Sequence, residues 1–278
     1  IIVFYPKNGV SKVQEMQMVT QTGDNVDVVA IHGNFDNAQS GVKAMFEDKK
    51  LAEDLDKHGY QFSSANSINI GRLVPQVVYY VYAYAKLLDN EEIQPGEQIN
   101  VVVPTGNFGN ILAAYYAKNM GVPIAKLICA SNENKVLFDF FQTGVYDRKD
   151  REFKLTTSPS MDILISSNLE RLIYQIAGCD DKKNAELMQA LKSEGVYEIT
   201  DAMKAGLKDF AAGYATEAQT AETIHDVYKK TGYVMDTHTA VAAHVCQEYQ
   251  ENSGDKTKCV VASTASPYKF AGSVMAAI

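Results

Sequence analysis

The sequence predicts an α/β protein, with doubly wound and mostly parallel sheets flanked by helices. Three observations carry this. Short β-branched runs (IIVFY at 1–5, VDVVAI at 26–31, INVVV at 99–103, KCVVA at 258–262) alternate with longer segments of helical spacing. Glycine, proline or asparagine punctuates most of the junctions. Finally, 278 residues that are 46% hydrophobic and 22% charged have the balance of a globular protein, long enough for one large or two modest domains.

IIVFYP reads as a strand ended by Pro6, and SKVQEMQMVTQTG as a helix capped by Ser11 and stopped by Gly23. Residues 26–31 form a second buried strand, and 35–48 have helical spacing after Gly33. Residues 66–88 read as one long helix with Arg72 near its start. Its tyrosines Tyr79, Tyr80, Tyr82 and Tyr84 are assigned to core and domain-interface packing. Then come a strand at 99–103, a helix at 110–120, a strand at 125–130 and a helix at 134–142. The polar, proline-containing stretch 143–162 reads as a loop, 167–250 as mainly helices, 258–262 as a last strand, and the end of the chain as a helix. Two domains follow: 1–65 as the remainder of a smaller α/β domain, incomplete in its sheet, and 66–278 as a large one. Strands in an incomplete sheet should present unpaired edges or exposed apolar faces.

The formal net charge of −8 argues against nucleic acid or an anionic membrane as the main partner. The apolar stretch 73–88 is interrupted by Pro75, Gln76 and Lys86, and reads as a buried helix rather than a membrane span. Cys129, Cys179, Cys246 and Cys259 form no CxxC pair, so free thiols in a reducing, cytoplasmic setting are expected and no metal site is assigned. His238 and His244 are six apart, not the helical spacing of zinc ligands; Asp236, His238 and His244 are given structural or supporting roles. The chain opens inside a strand and stops inside a helix, which reads as a fragment of a longer protein; the oligomeric state is left open.

The most informative segment is PTGNFGN at 104–110. A strand, a turn broken by Gly106 and Gly109, and a helix start together offer inward-facing backbone N–H groups and a helix dipole to an anion. The same residues also suit a plain turn. The pattern lacks the third glycine of a dinucleotide fingerprint. STASPYKF, after the last strand, occupies the same end of the sheet, where α/β proteins bind ligands; Thr264 or Ser266 would also serve there as a helix cap.

PTGNFGNILAAYYAKNMGVPIAKLICASNEN resembles the phosphate-binding region of threonine synthases, pyridoxal 5'-phosphate (PLP) enzymes of fold type II, the tryptophan synthase β-like family. YPKNGVSKVQEMQM, HGNFDNAQ, NSINIGRLVPQ, SPSMDILISSNLERLIY, DTHTAVA and STASPYKF are similar to further family segments, in family order and across almost the whole chain. The resemblance implies a PLP-dependent lyase of threonine biosynthesis that converts O-phosphohomoserine and water to threonine and phosphate. It implies that Gly106, Asn107, Phe108, Gly109 and Asn110 cradle the cofactor phosphate and that Thr264 faces the pyridine nitrogen. Asn66, Asn69 and Arg72 would hold the substrate phosphate. The family's Schiff-base lysine sits in an aromatic-Lys-Asp context. Phe153-Lys154-Leu155, Arg148-Lys149-Asp150 and Tyr268-Lys269-Phe270 do not supply it, so no catalytic residue is assigned within this chain. Two alternatives stand beside this reading: another fold type II lyase such as a serine/threonine dehydratase, and a non-catalytic homologue that binds a phosphorylated metabolite.

Overall fold

The computed structural model describes residues 1–10, 12–33, 35–64, 67 and 69–278; of Phe35, Asp36 and Gln39 it describes the backbone alone. The chain divides into two compact units, Ile1–Ala65 and Asn66–Ile278.

The first unit is β1 (Ile2–Pro6), α1 (Lys12–Val19), β2 (Asp27–Ile31), α2 (Phe35–Glu47) and α3 (Lys49–Lys57). Strands β1 and β2 pair in parallel, from Ile2 opposite Asp27 to Pro6 opposite Ile31. Ile1, Ile2 and Val29 are exposed, as expected of a short sheet with open faces. Helix α3 was not foreseen. KKLAEDLDK is too polar to announce itself as a core helix, but Asp48 caps it by accepting from the Leu51 N–H at 3.0 Å. The expected cap of α1, Ser11, lies outside the described residues.

The second unit begins with α4 (Ile70–Leu73), a 3₁₀ turn (Val74–Gln76) and α5 (Val77–Asp89). The long helix expected over 66–88 is therefore broken. Pro75 has no N–H to donate to the preceding turn, which tightens into 3₁₀ geometry. The tyrosines divide as well. Tyr80 is 5% exposed and Tyr84 packs against the core, but Tyr79 and Tyr82 are 59% and 61% exposed, so the core takes two of the four. Adjacent tyrosines on a helix point about 100° apart, and one face cannot bury all of them.

β3 (Ile99–Pro104), α6 (Gly109–Asn119), β4 (Ile124–Ser131), α7 (Val136–Thr143), β5 (Val145–Asp147), α8 (Leu169–Ile176), α9 (Asp181–Glu194), β6 (Val196–Glu198), α10 (Asp201–Ala205), β7 (Phe210–Tyr214), α11 (Glu217–Thr231), α12 (Thr237–Ser253), β8 (Cys259–Val261) and α13 (Ala271–Ala277) complete it. Four of these strands form an all-parallel sheet in the order β7-β4-β3-β8. Its register sets Val101, Val102 and Val103 opposite Leu127, Ile128 and Cys129. Val101, Val103, Leu127 and Cys129 pack on one face with α5, α6, α7 and α8; Val102, Ile128 and Ala130 pack on the other with Val241, Ala242 and Val245 of α12. A sheet buried on both faces needs apolar residues at every position, which is why the strand reads as an unbroken run. Asn100 is the exception. It sits where the β3–β4 register slips, and its amide is used on both sides: Nδ2 donates to Asp255 Oδ2 at 2.8 Å and Oδ1 accepts from the Lys126 N–H at 3.1 Å.

The expected loop 143–162 contains β5, and the expected helical stretch contains β6 and β7. β5 and β6 pair antiparallel, and Tyr146 stacks on Tyr197 with centroids 5.4 Å apart. The chain leaves β3 for β4 through α6 on one face and returns to β8, on the other side of β3, after α12 on the opposite face. The crevice beyond the carboxyl ends of β3 and β8 is thus a topological switch point.

Candidate functional site

The turn after β3 lies at that switch point. Phe108 takes φ 63°, ψ 3° and stands at the N-cap position of α6. A left-handed conformation at a bulky residue costs on the order of 1–3 kcal/mol and persists only where surroundings enforce it. Here the ring is 1% exposed, with Phe141 and Phe210 each 6.0 Å away between centroids; burial of such a side chain contributes about 1.5–3 kcal/mol. The backbone N–H groups of Gly106, Asn107, Phe108, Gly109 and Asn110 donate to no acceptor among the described residues. The carbonyls of the same turn are occupied. Gly106 O accepts from Ser166 Oγ at 2.8 Å, and Asn107 O accepts from Asn168 N at 3.1 Å and Asn168 Nδ2 at 3.0 Å. A turn with acceptors satisfied and donors unused at the start of an eleven-residue helix is arranged for an anion.

Two side chains of the predicted cradle turn into the protein. Asn110 accepts from the Tyr80 hydroxyl and donates from Nδ2 to Gln76 Oε1 at 2.9 Å; Asn107 Oδ1 accepts from Ser167 Oγ at 3.2 Å. Their availability to a ligand is therefore that of their backbone N–H groups. Burial pushes the Tyr80 phenol well above its usual value, so it stays a donor.

Gly106 is fixed by packing across the chain. A Cβ there would stand 2.8 Å from Ser160 O and 3.2 Å from Met161 Cα, both backbone atoms. The turn carrying Ser160 is itself anchored. Asp162, buried, accepts from Asn132 Nδ2 (2.8 Å), Asn134 Nδ2 (3.0 Å), Thr156 Oγ1 (2.7 Å) and Thr156 N (2.9 Å). Ser160 N–H donates to His238 Nε2 at 3.2 Å, and His238 Nδ1 faces Asp236 Oδ1 at 3.2 Å. With Nε2 accepting, Nδ1 carries the ring proton toward Asp236. Asp236 also caps α12 and accepts from the Thr239 hydroxyl, which contacts Ser263 Oγ at 3.2 Å. Burial raises the Asp236 carboxyl, but the hydrogen bonds from His238 and Thr239 outweigh it and hold the group below its ordinary value. One buried node therefore ties the start of α12 to the turn that walls Gly106 and to the segment after β8.

The remaining predicted site residues fall as follows. Ala262 N donates to Val102 O at 2.9 Å, so the segment carrying Thr264 leaves the sheet beside the 104–110 turn. Thr264 is exposed and makes no hydrogen bond among the described residues; Ser266, not Thr264, caps the next turn, accepting from Tyr268 N at 3.4 Å. Asn69 caps α4 through Oδ1, which accepts from Gly71 N at 2.8 Å. Arg72 is exposed, and its carbonyl accepts from Gln76 Nε2 at 2.7 Å, joining it through Gln76 to Asn110. Asn66 lies outside the described residues. Ser160, Ser166, Asn168 and Asp162 carry no individual sequence signal, although they lie in the SPSMDILISSNLERLIY segment.

Comparison with known proteins gives this geometry its context. Residues 239–278 match the family model described as "Threonine synthase, C-terminal". Over its whole length the chain is 43% identical to threonine synthase-like 1 of Homo sapiens, covering 37% of that protein. It is 38% identical over 99% of its length to threonine synthase of Saccharomyces cerevisiae, covering 54% of it. The crystal structure of PLP-bound threonine synthase from Brucella melitensis superposes with a TM-score of 0.87 at 41% identity, over all of this chain and 57% of that one. The chain thus spans about half the length, or less, of the relatives it matches. The chain is thus similar from end to end to threonine synthases, and its α/β architecture is that of the fold type II PLP enzymes.

Proposed function

We propose that this chain is the PLP-binding part of a threonine synthase, which converts O-phosphohomoserine and water to threonine and phosphate. The observation that carries the reading is the 104–110 turn: five backbone donors at a helix start with no acceptor among the described residues, next to a glycine whose missing Cβ lets the Ser160 carbonyl approach. These residues fit the phosphate of PLP. Gly106 to Asn110 would hold it through backbone N–H groups, as a compact dianion requires. Bound there, PLP supplies an electron sink for rearrangement of an amino-acid substrate. Thr264, at the neighbouring strand end, would meet the pyridine nitrogen with a neutral hydroxyl, which orients the ring without forcing a proton onto it. Arg72 and Asn69, with Asn66, would receive the substrate phosphate, a guanidinium being suited to two oxygens at once. The Asp236–His238 pair and Asp162 hold the wall against which the cradle rests. No lysine of this chain is assigned the covalent role. The thiols Cys129, Cys179, Cys246 and Cys259, all free, support a cytoplasmic setting as part of the same proposal.

The test is a substrate panel on the whole protein. The reading expects phosphate and threonine from O-phosphohomoserine. Ammonia and a 2-oxo acid from serine or threonine, without phosphate release, would mark a dehydratase instead. Binding of the phosphorylated substrate without turnover would mark a non-catalytic relative.

A further inference from the structure

Asn168 is fully buried and stands at the N-cap position of α8, yet its side chain makes no capping bond there. An asparagine at that position ordinarily turns its side-chain oxygen to the first free N–H groups of its own helix. Here Oδ1 accepts from Arg171 Nε at 3.1 Å, which turns the amide the other way. Asn168 Nδ2 and the Asn168 backbone N–H then both donate to the Asn107 carbonyl, at 3.0 and 3.1 Å. The two residues before Asn168 grip the same turn. Ser166 Oγ donates to the Gly106 carbonyl at 2.8 Å, and Ser167 Oγ to Asn107 Oδ1 at 3.2 Å. Ser166 is itself held by the buried Tyr146, whose hydroxyl accepts from the Ser166 N–H at 2.9 Å and donates to Leu164 O at 3.0 Å.

In a trans peptide the C=O and N–H point opposite ways. The carbonyls of Gly106 and Asn107 both turn to residues 166–168, so the N–H groups of Asn107 and Phe108, in the same two peptide units, turn away from them. The second unit leads into Phe108 at φ 63°, where a bulky residue is strained. A half-turn of the 107–108 peptide, with the flanking side chains left in place, takes φ of Phe108 to about −120°, extended backbone that any residue adopts. The same half-turn puts a carbonyl where the Phe108 N–H had faced an anion. Local preference at Phe108 therefore favours the orientation that cannot hold a phosphate. The two bonds from Asn168 oppose it, because the half-turn would leave both buried donors without their acceptor.

We propose that Asn168 is a positioning residue of the cradle: it locks the 107–108 peptide with the Phe108 N–H toward the phosphate, and Arg171 fixes the amide that does so. The inference rests on the reading of the 104–110 turn as a phosphate seat. Because the locking bonds lie within the chain, the seat is formed before the anion arrives, and binding is spared the cost of ordering it. Ser166 orients the preceding peptide in the same way. No strained residue follows that unit at once, so loss of the Ser166 hydroxyl loosens one donor and leaves Phe108 left-handed.

The experiment titrates the isotope-labelled chain with PLP, unaltered and as Asn168→Ala, Ser166→Ala and Leu187→Ala. It follows the backbone amides and the HN–Hα coupling of Phe108, which reports φ. In Asn168→Ala the coupling should rise to its extended-backbone value without ligand, and PLP affinity should fall at least about tenfold, the effect of losing one hydrogen bond to a charged group. In Ser166→Ala the coupling should stay as in the unaltered chain, with a smaller fall in affinity. Leu187→Ala removes a buried side chain of α9; it should lose stability in urea and keep both coupling and affinity, which separates destabilisation from release of the lock. Unchanged coupling and affinity in a folded Asn168→Ala would overturn the proposal. If that variant does not fold, couplings through the hydrogen bonds from both Asn168 nitrogens to the Asn107 carbonyl carbon decide it in the unaltered, ligand-free chain. Their presence upholds the lock and their absence overturns it. No response of the Gly106 to Asn110 amides to PLP in the unaltered chain would overturn the phosphate seat and the lock together; a response there, with Asn168→Ala unchanged, would overturn the lock alone.

Discussion

Substituting Gly106→Ala tests the packing that shapes the candidate site. The new methyl would stand 2.8 Å from Ser160 O and 3.2 Å from Met161 Cα. Neither neighbour is a flexible side-chain end. Ser160 is held by its N–H bond to His238 (3.2 Å), Met161 N–H donates to Ser158 O at 3.0 Å, and Asp162 anchors the turn through four accepted hydrogen bonds. The 104–110 turn must therefore give way. Overpacking of this kind costs about 1–3 kcal/mol. With a urea slope of about 2 kcal/mol/M, the unfolding midpoint should fall by about 0.5–1.5 M at unchanged slope. PLP binding should weaken with it, because the backbone donors move with Gly106. An unchanged midpoint, or an altered midpoint with PLP affinity intact, would refute the link between the Ser160 wall and the cradle.

Further outcomes follow from the same structure. Gly272→Ala, in α13 with nothing within 4 Å of the added Cβ, should raise stability by about 0.4–1 kcal/mol in the same urea assay. Asp162→Ala leaves buried donors of Asn132, Asn134 and Thr156 without their acceptor and should cost at least about 3 kcal/mol by urea unfolding. Asp236, whose carboxyl is lowered in the folded state, contributes stability that is complete above its unfolded value near pH 4 and is lost as pH falls through the depressed folded value. Asp236→Asn should therefore flatten the dependence of unfolding free energy on pH below about pH 4, as read from urea midpoints across that range.

The parts of the fold legible in the sequence are those with local signals. Ile99–Pro104 announces a two-face-buried strand because every position is apolar or, at Asn100, used inside the sheet. Strand β7 escaped because FAAGY has two alanines and a glycine, poor strand formers in isolation. It is a strand because it pairs with β4 along its length, and it carries Gly213 because a Cβ there would meet Val245 Cγ1 of α12 at 2.7 Å; no window of sequence contains either fact. The same holds for the site. Gly106 and Gly109 stand out by spacing, and Asp236 was recognisable as a structural residue. The role of Ser160 depends on a contact with Gly106 from a turn beyond β4 and β5, and that of Asn168 on its capture of the Asn107 carbonyl. On α5 four tyrosines in six residues look like a core stripe, while helical geometry buries only part of such a cluster.

A 104–110 turn that holds the phosphate of PLP by its backbone should report the ligand through its own amides. Titrating the isotope-labelled chain with PLP, and separately with pyridoxal lacking the phosphate, while following backbone amide resonances tests it most directly. Saturable shifts of the Gly106 to Asn110 amides are expected with PLP, and none of comparable size with pyridoxal. Equal responses to both compounds, or shifts confined to other parts of the chain, would contradict it.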